Sequence, residues 1–369
     1  MEFTIKKSDL LDVLQVTRVV GQSFLPITEG VLLKVDDISL KATCTNLEIV
    51  YSRSVTISSM PFAKEESLVL PAKKLLEVVR QMPDVPLVFV SNDNFSMTIK
   101  YGQNSINLKG YDVNDYPELP KTEAICQFKV SSKDLQRAIK VVAPAISNDN
   151  SRPIFTGILF EINKESIAVI ATDGYRLHTD IVKTETNIEK NTQVIVPGKS
   201  IKEIQDLEGN INVCICDGYI SFSNEKAIVT IRLISGIYPE YKRLIPSEFT
   251  TEIRIGVQEV IGALNRAKPI AEEANFSAII YLSISTNSLQ IMAKSESGEL
   301  NEDLKPTEIK GEPLEISFNL QYLLNALKTT LESETKEAML KFTGAESSCI
   351  IVPITGTSLC LVLPTRKKS

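Results

Sequence analysis

Histidine and tryptophan are nearly absent from this chain of 369 residues, which has one histidine, His178, and no tryptophan. A single imidazole excludes zinc sites built on paired histidines and most general-base schemes. No apolar run approaches the roughly 20 residues that a membrane span needs, and the first residues do not form a charged and apolar presequence. We therefore expect a cytoplasmic protein that makes no membrane contact.

Cysteine is also sparse. The closest pair is Cys214-Ile-Cys216, whose alternation puts both thiols on one face of a strand. We interpret these two as buried reduced thiols rather than metal or redox ligands, together with Cys44, Cys126, Cys349 and Cys360. No cofactor or metal is expected. The net charge of −6 argues against a protein that binds nucleic acid by bulk positive charge.

A repeat with an offset of 125 residues organises the chain. Residues 3–10, 128–135 and 253–260 each read as an alternating strand that leads into an amphipathic helix. An acidic residue follows at the same place in each copy, where it suits a helix N-terminus: Asp9, Asp134 and Glu259. A second strand and helix come about 65 residues later, at 68–79, 194–204 and 316–326.

Short alternating strands surround these helices, as at 96–101, 166–171 and 288–293. Each copy is therefore predicted to be an α+β domain, with two helices on mostly antiparallel strands. Proline-containing linkers at 110–118 and 236–240 follow the first and second copies. We predict three domains, at 1–125, 126–250 and 251–369.

Five motifs stand in a fixed order along the chain. They are Ser-Arg-Pro-Ile-Phe-Thr-Gly at 151–157, Ala-Thr-Asp-Gly-Tyr-Arg-Leu at 171–177, Val-Pro-Gly-Lys-Ser at 196–200, Tyr-Pro-Glu-Tyr-Lys-Arg-Leu-Ile-Pro at 238–246 and Leu-Val-Leu-Pro-Thr-Arg at 361–366. With the triplication, they resemble the β subunit of the bacterial replicative DNA polymerase III, the β sliding clamp family, over the full length of the chain.

The resemblance implies the DNA clamp fold, a head-to-tail homodimeric ring and a non-catalytic processivity factor that encircles duplex DNA at the nucleoid. Six helices about 10 Å wide would enclose a bore of only about 9 Å, whereas twelve leave about 28 Å, enough for a duplex close to 20 Å across. The implied partners are DNA, a second copy, the polymerase α subunit, the clamp loader δ subunit, repair polymerases, mismatch-repair proteins and ligase.

In the family, the partner proteins carry linear motifs of the form Gln-Leu-aliphatic-Phe, and these motifs bind an apolar groove on the clamp. Read without the family, Asp-Gly at 173–174 is a hairpin turn, and 361–363 is an edge strand with one buried face. Carried over, the groove residues are Phe155, Thr172, Gly174, Tyr175, Arg176, Leu177, Pro239, Arg243, Leu244, Leu361, Leu363, Pro364, Thr365 and Arg366. Thr365 stands where a larger apolar residue is common in the family, and Lys367-Lys368-Ser369 extends the usual end.

The predicted helices carry a net positive charge, although the whole chain is negative. Six twelve-residue windows that start at 7, 71, 132, 197, 257 and 320 carry +5 together and the other residues carry −11, which gives −6. Amphipathic helices ordinarily have a solvated charged face, and that remains an alternative to DNA contact. The residues that the resemblance turns toward DNA are Gln22, Lys73, Lys74, Arg80, Lys133, Arg137, Lys140, Asn148, Arg152, Arg266, Lys268 and Lys328.

The resemblance also implies that a strand at 100–108 pairs with an edge strand of the third domain in the partner. It puts Ile106 against Ile270 and Lys100 near an acidic cluster. The implied interface residues are Lys100, Ile106, Leu108, Ile270, Glu296, Glu299 and Glu302. Without the resemblance, both isoleucines read equally well as core residues.

Three other interpretations stay open. An enzyme could use a Ser-Lys pair or two carboxylates, although the sequence has no phosphate-binding glycine loop or nucleophile elbow. A three-repeat interaction scaffold would not encircle DNA. A specialised second clamp, from a plasmid or a virus, would share every motif.

Overall fold

The computed structural model describes residues 1–21, 25–59, 66–92, 94–120, 124–186, 188, 190–274 and 278–365. Contacts divide the chain into two compact units, residues 1–132 with 200–233 and residues 133–199 with 234–369. In the described ranges, no helix is both long enough and apolar enough to cross a membrane.

One element order recurs three times, which confirms the triplication. The first copy contains β1 (Glu2–Ile5), α1 (Lys7–Val13), β2 (Gly30–Val35), β3 (Ser39–Thr45), β4 (Ile49–Thr56), β5 (Ser58–Ser59), β6 (Glu66–Pro71), α2 (Ala72–Gln81), β7 (Leu87–Asn92), β8 (Ser96–Tyr101) and β9 (Asn104–Lys109). The second contains β10 (Cys126–Ser131), α3 (Ser132–Val142), β11 (Gly157–Ile162), β12 (Ser166–Thr172), β13 (Arg176–Lys183), β14 (Thr192–Pro197), α4 (Gly198–Ile201), β15 (Asn210–Cys216), β16 (Tyr219–Ser223) and β17 (Ala227–Arg232). The third contains β18 (Thr251–Gly256), α5 (Val257–Ala274), β19 (Ile279–Ile284), β20 (Leu289–Lys294), β21 (Glu299–Leu304), β22 (Glu308–Gly311), β23 (Leu314–Asn319), α6 (Leu320–Thr330), β24 (Glu337–Phe342), β25 (Cys349–Pro353) and β26 (Leu359–Val362).

The predicted helix starts are right to within one residue, but three predicted helix lengths are wrong. α1 ends at Val13 after seven residues, and a 3₁₀ helix, Leu14–Val19, follows it. Only one turn forms at α4, and a 3₁₀ turn, Lys202–Ile204, follows it. Gly198 and the β-branched Ile201 are poor helix formers, which explains the short element. In contrast, α5 continues for 18 residues through Pro269. Asn319 caps α6, since its side chain accepts a hydrogen bond from the Tyr322 N–H at 3.1 Å.

The first unit holds two antiparallel sheets. One has the order β5-β1-β7-β8-β9 and the other the order β10-β15-β16-β17-β4-β3-β2-β6. The larger sheet crosses a repeat boundary, because β17 of the second copy pairs with β4 of the first. Apolar side chains that alternate along the strands form the core, where Phe3 stacks on Phe89 with ring centroids 4.9 Å apart.

The second unit has the same plan. Its sheets have the orders β14-β11-β12-β13-β26-β25-β24-β18-β22 and β21-β20-β19-β23. Here β26 of the third copy pairs with β13 of the second. We call each such pairing a seam: the last strand of one repeat (β17 or β26) pairs with the fourth strand of the preceding repeat (β4 or β13). Each seam places chain segments about 180 residues apart side by side, and the main candidate site lies at the seam between β13 and β26.

Candidate functional site

The hairpin between β12 and β13 is fixed by one carboxylate. Asp173 Oδ1 accepts hydrogen bonds from the backbone N–H groups of Tyr175 (2.9 Å) and Arg176 (3.1 Å). Its Oδ2 accepts one from Arg176 Nε at 3.0 Å. Gly174 has a φ of 91°, which favours glycine. The Asp-Gly turn expected from the sequence is confirmed, and it also aims Tyr175 and Arg176 out of the hairpin.

An aromatic side chain that the sequence did not single out supports these two residues. The Arg176 guanidinium lies over the Tyr322 ring at 4.3 Å, and the Tyr175 ring stacks on the same tyrosine with centroids 6.3 Å apart. Arg176 Nη1 is buried without a hydrogen-bond partner among the described residues. Tyr322 lies in α6, far along the chain, so no local pattern could have identified it.

The floor beside this hairpin is apolar. Leu177 and Leu361 are directly opposite each other across the seam between β13 and β26 and are 1% and 3% exposed. They pack in one cluster with Tyr238 and Tyr241. The Tyr238 hydroxyl accepts the Thr172 N–H at 3.1 Å, and Phe155 meets the Tyr238 ring edge to face. Burial raises the pKa of Tyr238, so the phenol stays neutral.

Large apolar side chains remain exposed around this floor. Tyr175 is 63% exposed, Leu244 57% and Leu363 41%. The segment after β26 is held in place, because the Leu363 N–H donates to the Tyr175 carbonyl at 2.9 Å and the Thr365 N–H donates to the Ser317 carbonyl at 2.8 Å. A buried floor with an exposed apolar rim is typical of a protein interaction site. We call this surface the groove.

The structure brings most of the predicted groove residues together in the second unit. Thr172, Gly174, Tyr175, Arg176, Leu177, Phe155, Leu361, Leu363, Pro364 and Thr365 are linked by the contacts above or adjoin them in the chain. Pro239, Arg243 and Leu244 are exposed on the neighbouring turn. The Arg243 Nε lies 2.6 Å from Glu240 Oε2 in an exposed ion pair. Arg366 lies outside the described residues.

The residues predicted to face DNA differ in their exposure and in their pairing. Those exposed at the surface are Lys73, Lys74 and Arg80 of α2, Lys133 and Lys140 of α3, Arg266 of α5, Lys328 of α6, and Asn148 and Arg152 in the loop after α3. Lys268 is partly buried and pairs with Glu272 at 3.5 Å. Gln22 lies outside the described residues. Two arginines, Arg137 and Arg266, are held by carboxylates and are not free cations.

These two arginines belong to a recurring ion pair between the first helix and the fourth core strand of each repeat. Arg137 donates to Asp180 Oδ2 at 2.5 Å, and Arg266 Nε donates to Glu302 Oε2 at 3.0 Å. In the first repeat the charges are exchanged, with Arg53 Nη2 on the strand and Asp12 Oδ1 on the helix, 2.7 Å apart. The hydrogen bonds from Arg266 lower the pKa of Glu302. A bracing role for these side chains was not apparent from the sequence.

The residues predicted for the dimer interface lie on different elements. Ile106 and Leu108 are on the edge strand β9, and Glu299 and Glu302 are on the edge strand β21, but Lys100 is on β8 and Ile270 is in α5. The single strand predicted at 100–108 is wrong, because the chain turns at Gly102 between β8 and β9. Ile106 is on β9 and lines an apolar cavity of about 340 Å³ with Val78, Met82 and Tyr101. Leu108 is buried, and Ile270 packs partly buried on the core of its own repeat. Lys100, Glu296 and Glu299 are exposed, whereas Glu302 is occupied by Arg266.

The six cysteines are free. The prediction of burial is right for Cys44, Cys216, Cys349 and Cys360, but wrong for Cys126 and Cys214, which are partly exposed at their strands. Cys214 Sγ and Cys216 Sγ are 3.5 Å apart, and burial raises the pKa of Cys216 to about 11. Within the described ranges, no cluster of three His, Cys, Asp or Glu side chains is arranged to hold a metal.

Sequence models of one family match the chain from end to end. They describe the N-terminal domain (residues 1–120), central domain (129–240) and C-terminal domain (242–366) of the DNA polymerase III beta subunit. The chain belongs to the DNA polymerase III beta subunit family. It has three clamp domains, and its function is that of the family's sliding clamps, the processivity factors of DNA replication.

Individual relatives agree. The chain is 27% identical to the beta sliding clamp of Bacillus subtilis, with 99% of this chain and 100% of that protein covered, and 27% identical to the Staphylococcus aureus clamp, with 99% of each covered. It resembles the crystal structure of the DNA polymerase III subunit beta from Pseudomonas aeruginosa with a TM-score of 0.93, 27% identity and coverage of 99% and 100%. For the Bacillus subtilis sliding clamp structure, the TM-score is 0.91, the identity 28% and the coverage 100% and 99%.

Proposed function

We propose that two copies of this clamp close head to tail into a ring around duplex DNA by pairing β9 of each copy with β21 of the other. The observation that carries this proposal is that equivalent strands of the three repeats are not all paired in the same way. The last strands β17 and β26 are paired across the seams with β4 and β13. The equivalent strands β9 and β21 end their sheets. Since β9 is equivalent to β17 and β26, and β21 to β4 and β13, the two edge strands can pair between copies as their counterparts do within the chain. Two such seams close a symmetric dimer.

The two seams within the chain predict which residues would lie opposite each other at the seam between copies. Val229 is opposite Tyr51 at the first seam and Cys360 is opposite His178 at the second, and all four side chains are at most 1% exposed. By position in the repeat, the corresponding residues at the third seam are Ile106 and Leu300. Both remain partly exposed in one chain. Their pairing would bury them as their counterparts are buried.

Charge also favours this pairing over one between two β21 edges. β21 and the turn before it carry Glu296, Glu299, Glu302 and Asp303, of which Glu302 already pairs with Arg266. In contrast, β9 carries no acidic residue, Lys109 ends it, and Lys100 of β8 lies opposite Ser105 near its start. Two acidic edges repel each other, whereas the lysines on and beside β9 complement β21.

We propose that the exposed lysines and arginine of α2, α3 and α6 face the DNA phosphates. Such contacts are independent of base sequence and suit a tether that slides. Arg137 and Arg266 contribute less, because carboxylates already neutralise them. The clamp performs no catalysis in this account; it acts in the cytoplasm, at the nucleoid, after a loader has placed it on DNA.

The groove is proposed to bind the linear motifs of the polymerase α subunit, the clamp loader δ subunit, repair polymerases, mismatch-repair proteins and ligase. Its support is the combination of a buried Leu177–Leu361 floor with the exposed rim residues Tyr175, Leu244 and Leu363. An extended peptide of the form Gln-Leu-aliphatic-Phe places apolar anchors over such a floor and keeps polar atoms at the rim.

Loading onto a nicked circular plasmid tests encirclement. A ring should stay bound through gel filtration and leave within minutes after the plasmid is cut once. Retention on the linear product with free ends would contradict encirclement and favour a scaffold that binds without a ring.

Peptide binding tests the groove separately. Leu363→Ala should weaken binding of a Gln-Leu-aliphatic-Phe peptide about tenfold, because Leu363 offers an exposed apolar contact. Ile38→Ala is the control, since Ile38 is 69% exposed and lies in the other compact unit. Equal affinities for the two variants and the unmodified clamp would contradict the assignment.

A further inference from the structure

A cavity of about 950 Å³ adjoins the segment that forms one wall of the groove. Leu363, Pro364 and Thr365 line it, and the other lining residues come from β19, β20, β23 with the preceding Pro313, and the turn between β24 and β25. The segment is held in place, since the Ser317 hydroxyl donates to the Thr365 carbonyl at 2.8 Å. The volume is near the upper end of the range of about 300–1,000 Å³ that ligand pockets span.

The chemistry of the walls is uneven. Apolar side chains form much of the lining, namely Tyr281, Leu282, Met292, Pro313, Leu314, Ile316 and Ala345. Among the described residues that line the cavity, the charged ones are Glu315 and Glu346, both exposed, and none is basic. The lining combines apolar side chains with polar surface and two carboxylates. Such a mixture suits a lysine or arginine, whose methylene stem packs on the apolar part while its cation stays in water. Tyr281 adds an aromatic face for that cation.

We propose that this cavity binds a lysine or arginine that flanks the groove motif in a partner peptide. The inference depends on the proposed role of the groove. The occupant follows from two observations: the cavity shares the segment 363–365 with the groove, and the charged residues among its described lining, Glu315 and Glu346, are acidic. An extended peptide advances about 3.3 Å per residue, so a side chain a few positions beyond the motif reaches across that segment. The clamp thereby ranks its partners by the charge next to their motif.

The test compares three peptides that share one Gln-Leu-aliphatic-Phe core and carry two lysines, two serines or two glutamates beside it, with each flank tried on both sides. Fluorescence anisotropy in 50 mM salt should give the order lysine, serine, glutamate on one side of the core. We expect about two- to fivefold per added cation, which is the usual range for an exposed ion pair. At 0.5 M salt the difference should largely disappear.

Variants locate the effect. Glu315→Gln with Glu346→Gln should abolish the preference for lysine and leave the serine peptide bound as before. Glu332→Gln with Glu334→Gln, on the exposed turn after α6, removes the same charge elsewhere and should preserve the preference. Ala345→Lys puts a cation at the exposed rim and should reverse the order, whereas Ala345→Gln should not.

The outcomes separate this inference from the groove itself. If the serine peptide binds but all flanks are equivalent, the cavity is not a peptide pocket and the groove stands. If the lysine preference survives in Glu315→Gln with Glu346→Gln, it arises from the overall charge of −6 and the inference is overturned. If no core peptide binds, the groove and the inference fail together.

Discussion

Removal of one side chain from the free edge β9 should weaken the dimer by a predictable amount. Ile106→Ala deletes most of an apolar side chain that is partly exposed in the single chain and lies over a cavity beside Val78 and Met82. At the two seams within the chain, the equivalent residues Val229 and Cys360 are 0% and 1% exposed. The seam between copies should bury Ile106 to the same degree.

The expected magnitude follows from that change in burial. Complete burial of an isoleucine side chain contributes about 1.5–3 kcal/mol. Roughly half of this gain is already made within one chain, so about 1 kcal/mol remains for each seam. A head-to-tail dimer contains two identical seams. The loss is therefore about 2 kcal/mol, which raises the dimer Kd about 30-fold.

Sedimentation equilibrium over a range of protein concentrations measures this Kd directly. Asn107→Ala is the matched control, because Asn107 is exposed on the opposite face of β9, and it should change the Kd less than twofold. Leu300→Ala on β21 should reproduce the effect of Ile106→Ala. If Ile106→Ala and Asn107→Ala dissociate alike while the thermal unfolding of both is unchanged, the register proposed for the seam is wrong.

Three further predictions concern the seam within the second unit. Burial lowers the pKa of His178 from 6.5 to about 4, so the unfolded chain binds the proton first. The free energy of unfolding should therefore fall as the pH drops from about 6.5 to about 4. Urea titrations should show a shallower slope in this range for His178→Gln than for the unmodified clamp, and equal slopes would contradict the assignment. Asp180→Ala leaves the Arg137 cation without its buried partner and should lower the free energy of unfolding by about 3 kcal/mol. This is the lower end of the range for a broken buried pair, because Arg137 is 26% exposed. The double variant Arg137→Met with Asp180→Leu should recover most of the loss, and no recovery would contradict a purely electrostatic loss. Tyr322→Ala removes the ring under Arg176 and should weaken binding of the core peptide about fivefold in an anisotropy titration. Tyr322→Phe keeps the ring and should keep the affinity. Equal losses in the two variants would refute a role for the ring face.

Local patterns in the sequence were sufficient for the repeat and most of its elements. The apolar periods at 3–10, 128–135 and 253–260 correctly gave a strand followed by a helix, because both periods are set by residues within a few positions of each other. The strand predicted at 96–101 has those bounds in β8. The groove residues came from the family resemblance rather than from periodicity.

Contacts between distant segments were beyond the reach of those patterns. The position of Tyr322 under Arg176 depends on how α6 packs beside the hairpin, and no local spacing encodes that distance. The same applies to the pairing of Arg137 with Asp180, which links α3 to β13 and partly neutralises a cation predicted to face DNA. The length of α4 was wrong because a twelve-residue window ignores the weak helix propensity of Gly198 and Ile201.

The most direct test of the central claim, a dimeric ring that encloses DNA, is covalent closure of both proposed seams. In the register above, Ser105 of one copy lies opposite Asn301 of the other, and directly opposed side chains are close enough for a short bismaleimide to bridge two cysteines. Ser105→Cys with Asn301→Cys, loaded on a circular plasmid and cross-linked, should remain on the DNA in hot detergent and be released when the plasmid is linearised. Either single variant should be released by detergent alone. Cross-linked rings that leave the intact circle in detergent would contradict enclosure of the DNA.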